Sequence, residues 1–435
     1  MRYVIIGGSA SAISAVEAIR SVDPSSHIDL FSDEATPLFS RVLLPYYIAE
    51  ELSKPLLNFR SADFFEQNGV SPHIGVRIQE ISVSSKVVQS ETGEHTPFDK
   101  LLLAIGGKPI IPSIAGVNKE GISPLKTIAD AERIYHFQGK KAVVIGAGSV
   151  GVETSISFRR RGMDVSLIEQ LGHVLPTVFD EEAASIVRKR IETLGIKTFT
   201  GEKAIQFTGN GHVKSVVTDA REIECDIVVL AVGIKPAIEL GQKAGIEIGS
   251  LGGIEVDNTM MTSVKDIYAA GDVVETYDIS RDTNWINAIW PCAAEQGRIA
   301  GLNMAGQKTI YEGSFRRNSI GNFIGVPAIS MGITHADVCT ECAPGDQFQE
   351  VKGKTKDTYR KLILKNGRLV GAILVGQTLK SGLLGTLLKR KINVADHIPN
   401  LMSLSLNFMD LLPVIRRNAD KFTEPEYKEL MDTGL

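Results

Sequence analysis

Twice in this chain a short apolar run leads into a cluster of small residues and then into an amphipathic stretch. That repeated pattern limits the fold more than any other feature. The first instance is Tyr3-Val4-Ile5-Ile6, then Gly7-Gly8-Ser9-Ala10-Ser11-Ala12, then a helical face through Ile13, Val16 and Ile19. The second is Ala142-Val143-Val144-Ile145 followed by Gly146-Ala147-Gly148-Ser149-Val150-Gly151. Each reads as the opening of a nucleotide-binding βαβ unit, and the distance between them organises the rest of the chain.

Around these two points the pattern stays α/β. Continuous apolar runs, Leu101-Leu102-Leu103-Ala104 and Ile227 to Val232, predict strands buried on both faces, as a parallel sheet requires. Glu182 to Leu194 predicts a helix, with Gly195 as its stop signal. From about residue 312 the pattern changes: Arg360 to Leu364, Asn366-Gly367 and Leu369 to Val375 predict a hairpin inside a different, α+β domain. Pro399 onward is mixed and ends in a polar tail.

With 435 residues, 43% of them apolar and 23% charged, the chain reads as globular, with about three domains. Its 47 basic and 51 acidic side chains give a net charge of −4, which supplies no basic field for nucleic acid or an anionic membrane. Four cysteines without dense spacing make no disulfide framework. No signal peptide and no run of about 20 apolar residues is seen, so a cytoplasmic protein without a membrane span is expected.

A dinucleotide is held by its pyrophosphate at a helix N-terminus, where free N–H groups and the positive dipole end face the phosphates. The second motif has every part: Gly146 for the tight turn, Gly148 for close approach, Gly151 for helix packing, with Val150 at the helix start. The next strand ends in Glu169, 169 − 146 = 23 residues on, suited to an adenosine ribose. An acid there repels a 2′-phosphate and Gln170 follows it, which favours NADH over NADPH, although Arg159, Arg160 and Arg161 keep the alternative open. The first motif is degenerate. Gly7 and Gly8 are present, Ser9 stands at the second glycine position and Ala12 at the third. Ser9 places a Cβ at the point of closest approach, and its hydroxyl is then a candidate phosphate donor. Asp33, with Ser32 as rival, is the candidate ribose contact.

Further strings complete a recognisable order: Phe98-Asp99-Lys100-Leu101-Leu102-Leu103-Ala104-Ile105-Gly106, Ala231-Val232-Gly233-Ile234-Lys235-Pro236 and Asp266-Ile267-Tyr268-Ala269-Ala270-Gly271-Asp272. The chain resembles the FAD- and NAD(P)-binding pyridine nucleotide-disulfide oxidoreductases over essentially its whole length. It is most similar to the branch with coenzyme A disulfide reductases, NADH oxidases, rubredoxin reductases and the flavin domain of nitrite reductase. The resemblance implies two Rossmann-like domains, the NAD domain inserted in the FAD domain, plus a C-terminal α+β interface domain. The boundaries expected are 1–111 and 239–311 for FAD, 112–238 for NAD and 312–435 for a dimerisation-type domain. It implies FAD contacts at Gly7, Gly8, Ser9, Ala12, Asp33, Arg41, Ala104, Gly106, Gly271, Asp272 and Ala293. It implies NAD contacts at Gly146, Gly148, Val150, Gly151, Glu153, Glu169 and Gly233. Glu153 matches the family acid that sits by the nicotinamide and flavin; the plainer reading is a first-turn acid favoured by the helix dipole.

One departure matters. In the disulfide reductase and NADH oxidase branch a thiol lies just upstream of Leu-Pro-Tyr-Tyr; here Leu44-Pro45-Tyr46-Tyr47 is preceded by Val42 at that place. Thiol chemistry of the usual kind is therefore not expected. Cys292, at a helix start that resembles the one facing the flavin pyrimidine, is a substitute candidate or simply a buried small hydrophobe. Cys339 and Cys342 form an isolated Cys-x-x-Cys near His335; zinc needs four ligands, so no metal is expected. The leading expectation is an NADH:acceptor reductase serving a small redox protein or partner subunit. Disulfide, persulfide or peroxide reduction through Cys292 or the Cys339/Cys342 pair, and a non-enzymatic flavin-bound sensor or assembly protein, are the alternatives.

Overall fold

A computed structural model describes residues 1–36, 38–335 and 346–423. Along the chain, strands β1 (Arg2–Ile6), β2 (His27–Ser32), β3 (Val70–Ile74) and β4 (Lys100–Leu103) come first. Strands β5 (Ile122–Pro124), β6 (Lys141–Ile145), β7 (Asp164–Glu169), β8 (Ile196–Thr200) and β9 (Ile227–Leu230) follow, and then β10 (Ile267–Ala269). They sort into two all-parallel five-stranded sheets, β10-β4-β1-β2-β3 and β8-β7-β6-β9-β5. The edge strand of the first sheet thus arrives only after the whole second sheet has been made, which is an insertion of one Rossmann-like layer into another.

Period-2 alternation splits the first core cleanly. Tyr3, Ile5, Ile28, Leu30 and Leu102 face one side, while Val4, Phe31, Leu101 and Leu103 face the other. Helix α1 (Ala10–Val22) covers the first side with Ile13, Val16 and Ile19, each fully buried and stabilising by about 1.5–3 kcal/mol. The other side is covered by Ile78, Ile81 and Val88 from a three-stranded antiparallel sheet.

Four helices bear on the candidate site: α1, α2 (Leu44–Ile48), α3 (Ser149–Arg160) and α4 (Trp290–Met304). Helices α1 and α4 cross almost backbone to backbone. A Cβ at Gly297 would lie 2.0 Å from Ser11 O, and one at Gly301 2.5 Å from Ala15 O.

The chain divides into two compact units. One holds residues 1–175, 191–277 and 284–313, and therefore both parallel sheets; the other holds 314–435 together with 176–190 and 278–283. In the second unit β11 (Arg317–Ser319), β12 (Ala328–Gly332), β13 (Phe348–Lys354), β14 (Tyr359–Lys365) and β15 (Arg368–Val375) form an antiparallel sheet ordered β11-β12-β15-β14-β13. The β14–β15 hairpin turns at Asn366 and Gly367, both left-handed, as the two-residue Asn-Gly signal predicts. The buried Lys361 ammonium answers Glu350 at 2.9 Å and Asp180 at 3.2 Å. Its neighbour Arg360 is held instead by the carbonyls of Leu401 and Ser403.

Candidate functional site

At the second turn the three glycines divide the labour by geometry. Gly146 has φ +97°, and a Cβ there would come 2.5 Å from Ala231 O; a Cβ at Gly151 would come 1.8 Å from Gly146 O. Around Gly148 there is nothing within 4 Å, so the backbone at the N-cap of α3 is open to an approaching group and could admit a pyrophosphate. Val150 is exposed beside it, and Gly233, φ +105°, closes the neighbouring turn with its carbonyl on Ile110 N. Glu169 is buried, and its carboxylate accepts from Ala147 N (2.8 Å) and Leu171 N (2.9 Å). The acid therefore fixes the glycine turn itself, with lone pairs left over for a ribose.

The first turn meets the same demand differently. Gly7, φ +129°, has its missing Cβ 2.1 Å from Ala104 O, and Ala104 N in turn donates to Ile6 O. Gly8 O accepts from Leu38 N at 3.4 Å. Ser9 caps α1 without any side-chain hydrogen bond to the helix, and Ala12 is fully buried. Gly106 has φ +65° and accepts from Ala237 N. By register, Ser32 occupies the place that Glu169 holds in the second sheet, because Ile6 pairs with Phe31 as Ile145 pairs with Ile168. Asp33 lies one residue beyond, exposed, with its carboxylate 3.5 Å from Arg77.

Four charged residues gather elsewhere in the same unit. Arg41 donates to Lys126 O and to Glu34 Oε1, each at 2.7 Å, and lies over the Phe39 ring. The Lys126 ammonium donates to Gly107 O, and burial, with Arg41 next, lowers its pKa. Burial raises the pKa of Asp272, while Lys126 and Arg41 pull it back. Among the described residues no protein hydrogen bond reaches the Asp272 carboxylate. Gly271 beside it is set by the buried Gln296, whose Oε1 accepts from Gly271 N at 2.9 Å. Gln296 Nε2 is itself held by Thr276 and Tyr311. Ala293 packs on the same glycine, its Cβ 3.6 Å from the position a Gly271 Cβ would take. Two cations for phosphates, a lone carboxylate for hydroxyls and a glycine turn are a donor set that fits a dinucleotide. Lys126 and Gln296 carry no motif, and sequence reasoning missed both.

Glu153, in the first turns of α3, has an enclosed carboxyl that meets no hydrogen-bond partner among the described residues, and burial pushes it up to about 7. Helix α2 docks on α3 through Ser157 Oγ, which donates to Pro45 O at 2.8 Å. The turn Arg41–Leu43 precedes α2, so Val42, 54% exposed, stands at the mouth of that helix pair. Cys292 is buried in the first turn of α4. Cys225 is buried in a core, which raises its thiol to about 12 and makes it inert. Cys339 and Cys342 lie outside the described residues. Among the described residues no cluster of three or more His, Cys, Asp or Glu is arranged to hold a metal, and no helix is long and apolar enough to cross a membrane.

Residues 1–297 match the family model described as pyridine nucleotide-disulphide oxidoreductase. The chain belongs to that family. Residues 319–392 match the rubredoxin NAD+ reductase C-terminal domain. Among the oxidoreductases of this family, the chain is 30% identical over 395 residues to the NAD(P)H coenzyme A polysulfide/persulfide reductase of Pyrococcus horikoshii, covering 86% of this chain and 87% of that one. It is 28% identical to the epsilon subunit of NADH-dependent phenylglyoxylate dehydrogenase from Aromatoleum evansii, covering 90% and 92%. A solved NAD-dependent persulfide reductase from A. fulgidus superposes with a TM-score of 0.86 at 28% identity, over 96% of this chain and 84% of that one. The chain is thus an NADH-dependent oxidoreductase, and its two parallel sheets and C-terminal sheet are those of its family.

Proposed function

We propose that this oxidoreductase holds FAD in the first cradle and NADH in the second, and hands the electrons to a redox protein or partner subunit without a protein thiol. The observation that carries the proposal is Val42, an exposed hydrocarbon at the place where the branch keeps its cysteine, beside two intact cradles. Gly7, Gly8, Ser9 and Ala12 would receive the FAD pyrophosphate, with Arg41 and Lys126 as counter-charges. The adenosine ribose falls at the Ser32–Asp33 turn, and Asp272, with Gly271, Ala104, Gly106 and Ala293 around it, takes the hydroxyl-bearing chain. When bound, the flavin supplies a two-electron acceptor for the nicotinamide hydride. The residues of this chain bind and orient: Gly146, Gly148, Gly151 and Val150 seat the NADH diphosphate, Glu169 selects NADH over NADPH, and Gly233 bounds the pocket. Glu153, pushed up to about 7 and so largely protonated below that pH, would position the nicotinamide by hydrogen bond.

The same proposal assigns 1–111 and 239–311 to FAD, 112–238 to NADH and 312–435 to a homodimer contact in the cytoplasm. The relative from Aromatoleum evansii, a subunit of a larger dehydrogenase, supports the choice of a protein acceptor. The test is anaerobic mixing with NADH: the yellow chromophore should bleach rapidly, with no turnover of coenzyme A disulfide or persulfide. An unbleached flavin overturns the proposal. Persulfide turnover that is abolished by Cys292→Ala would instead establish the thiol route, which the two persulfide reductase relatives favour.

A further inference from the structure

Three consecutive arginines end α3, and each is engaged away from the glycine turn at its start. Arg159 Nε donates to Leu194 O at 2.9 Å, and Arg160 pairs with Glu51. Arg161, its side chain 12% exposed, donates to Ile134 O at 3.1 Å and to Tyr135 O at 2.8 Å. These are the last carbonyls of a helix that spans Ile128–Tyr135 and cannot answer them itself, so the guanidinium fork caps its C-terminal end.

The same fork lies over the Tyr135 ring, Cζ 5.7 Å from its centroid. Tyr135 in turn stacks on Tyr47 of α2, with centroids 4.7 Å apart and planes at 13°. Arg161 and the two rings therefore join α3 to α2. Around them Ser157 Oγ holds Pro45 O, Lys54 pairs with Glu132, and Arg161 Nε lies 3.6 Å from Glu50 Oε1. Exposed ion pairs contribute little singly, which leaves the enclosed Arg161 and the ring stack as the stronger contacts. Glu50 is left-handed at φ +61°, a conformation glycine adopts at less cost, and a carboxylate kept there points to a use for its charge.

At five residues α2 is too short to hold its own place, and takes it from what it docks on. The turn before it carries Arg41, which donates to Lys126 O, one residue before the Thr127 cap of the helix Ile128–Tyr135. Flavin-side Arg41 and nicotinamide-side Glu153 of α3 are thus linked through one set of contacts, all within the first compact unit.

We propose that Arg161 and Tyr135 are positioning residues for hydride transfer: seated on Tyr47, they fix α2, and with it Arg41, against α3. This role rests on FAD in the first cradle and NADH in the second. Hydride transfer needs reacting atoms about 3–3.5 Å apart, and a misplacement of about 1 Å can cost about a hundredfold. Loosening these contacts slows the transfer step while leaving each cradle able to bind.

The test mixes FAD-loaded holoprotein anaerobically with rising NADH. It reads the limiting rate of bleaching per bound flavin separately from the NADH dissociation constant. Arg161→Gln and Tyr135→Ala should each lower that rate about tenfold, with the dissociation constant changed by less than about twofold. Tyr135→Phe, which keeps the ring, should retain at least about half of the wild-type rate. Glu50→Gly relieves the left-handed backbone, so it should melt no lower than wild type yet bleach about threefold more slowly; it decides the matter if neither larger variant folds. An unbleached wild type removes the cradle reading and this role together. Where wild type bleaches, Arg161→Gln and Tyr135→Ala rates within about twofold of it overturn the positioning role alone. So does a loss seen only as less bound FAD, or Tyr135→Phe as slow as Tyr135→Ala.

Discussion

The two glycine turns solve one packing problem in opposite ways. Both press their first glycine on a distant strand end, Gly7 on Ala104 and Gly146 on Ala231, but in the second the helix packs on its own turn: Gly151 presses on the carbonyl of Gly146, and Gly148 is left clear. In the first, Ala12 replaces the packing glycine, and the closest backbone approach moves to another helix, where Gly297 and Gly301 of α4 meet Ser11 and Ala15 of α1. The helix of the second motif packs on its own turn, whereas that of the first also leans on a helix from far along the chain. A carboxyl also distinguishes them: α3 carries Glu153 where the matching position of α1 carries Ser14.

That contrast can be broken at its strongest point by Gly297→Val. The branched side chain meets Ser11 backbone, so stability in urea should fall by about 3 kcal/mol or more and bound FAD should be lost, while NADH still binds the other cradle. Next comes Glu153→Gln. A carboxyl pushed up to about 7 in the folded chain, above its unfolded value, stabilises below the unfolded pKa and loses that contribution as pH rises to 7. The urea midpoints of wild type and variant should therefore agree near pH 4, part as the pH rises from the model value of 4.5 to about 7, and stay apart above that, with the variant ahead by up to about 3 kcal/mol. Equal pH profiles would show that the carboxyl is solvated. A smaller effect is expected from Gly148→Ala: stability unchanged within about 0.5 kcal/mol, because the new Cβ meets nothing, but KM for NADH raised about tenfold. The smallest belongs to Ser9→Ala. If the Ser9 hydroxyl donates to the FAD phosphate, the FAD dissociation constant rises about threefold on its removal; no change would leave Ser9 as a plain cap.

Local pattern made much of this fold legible. The apolar runs at β1, β4, β6 and β9, the helix stopped by Gly195 and the Asn366-Gly367 hairpin all follow from contacts a few residues apart. Glu169 was placed by its spacing, although its two backbone partners at Ala147 and Leu171 were not. Long-range groups left no trace. Lys126 meets Gly107 over 19 residues and Arg41 over 85, and Gln296 reaches Gly271 over 25 residues. Segment 176–190, which holds most of the predicted helix Glu182 to Leu194, and segment 278–283 belong to the C-terminal unit, and no local pattern signals it. Such residues carry no periodicity of their own, because their role is set by topology. Ser32 shows the same limit: only register reveals that it, and not Asp33, mirrors Glu169.

The late arrival of β10 and α4 has a consequence for synthesis. A ribosome that has released the first hundred or so residues has delivered β1 to β4, but the free flank of β4 and the small-residue face of α1 stay uncovered until residue 304 emerges. Meanwhile the inserted layer, complete in itself, is free to settle first. Nascent chains should therefore protect the middle of the sequence from protease before its beginning, so that folding runs out of order with translation.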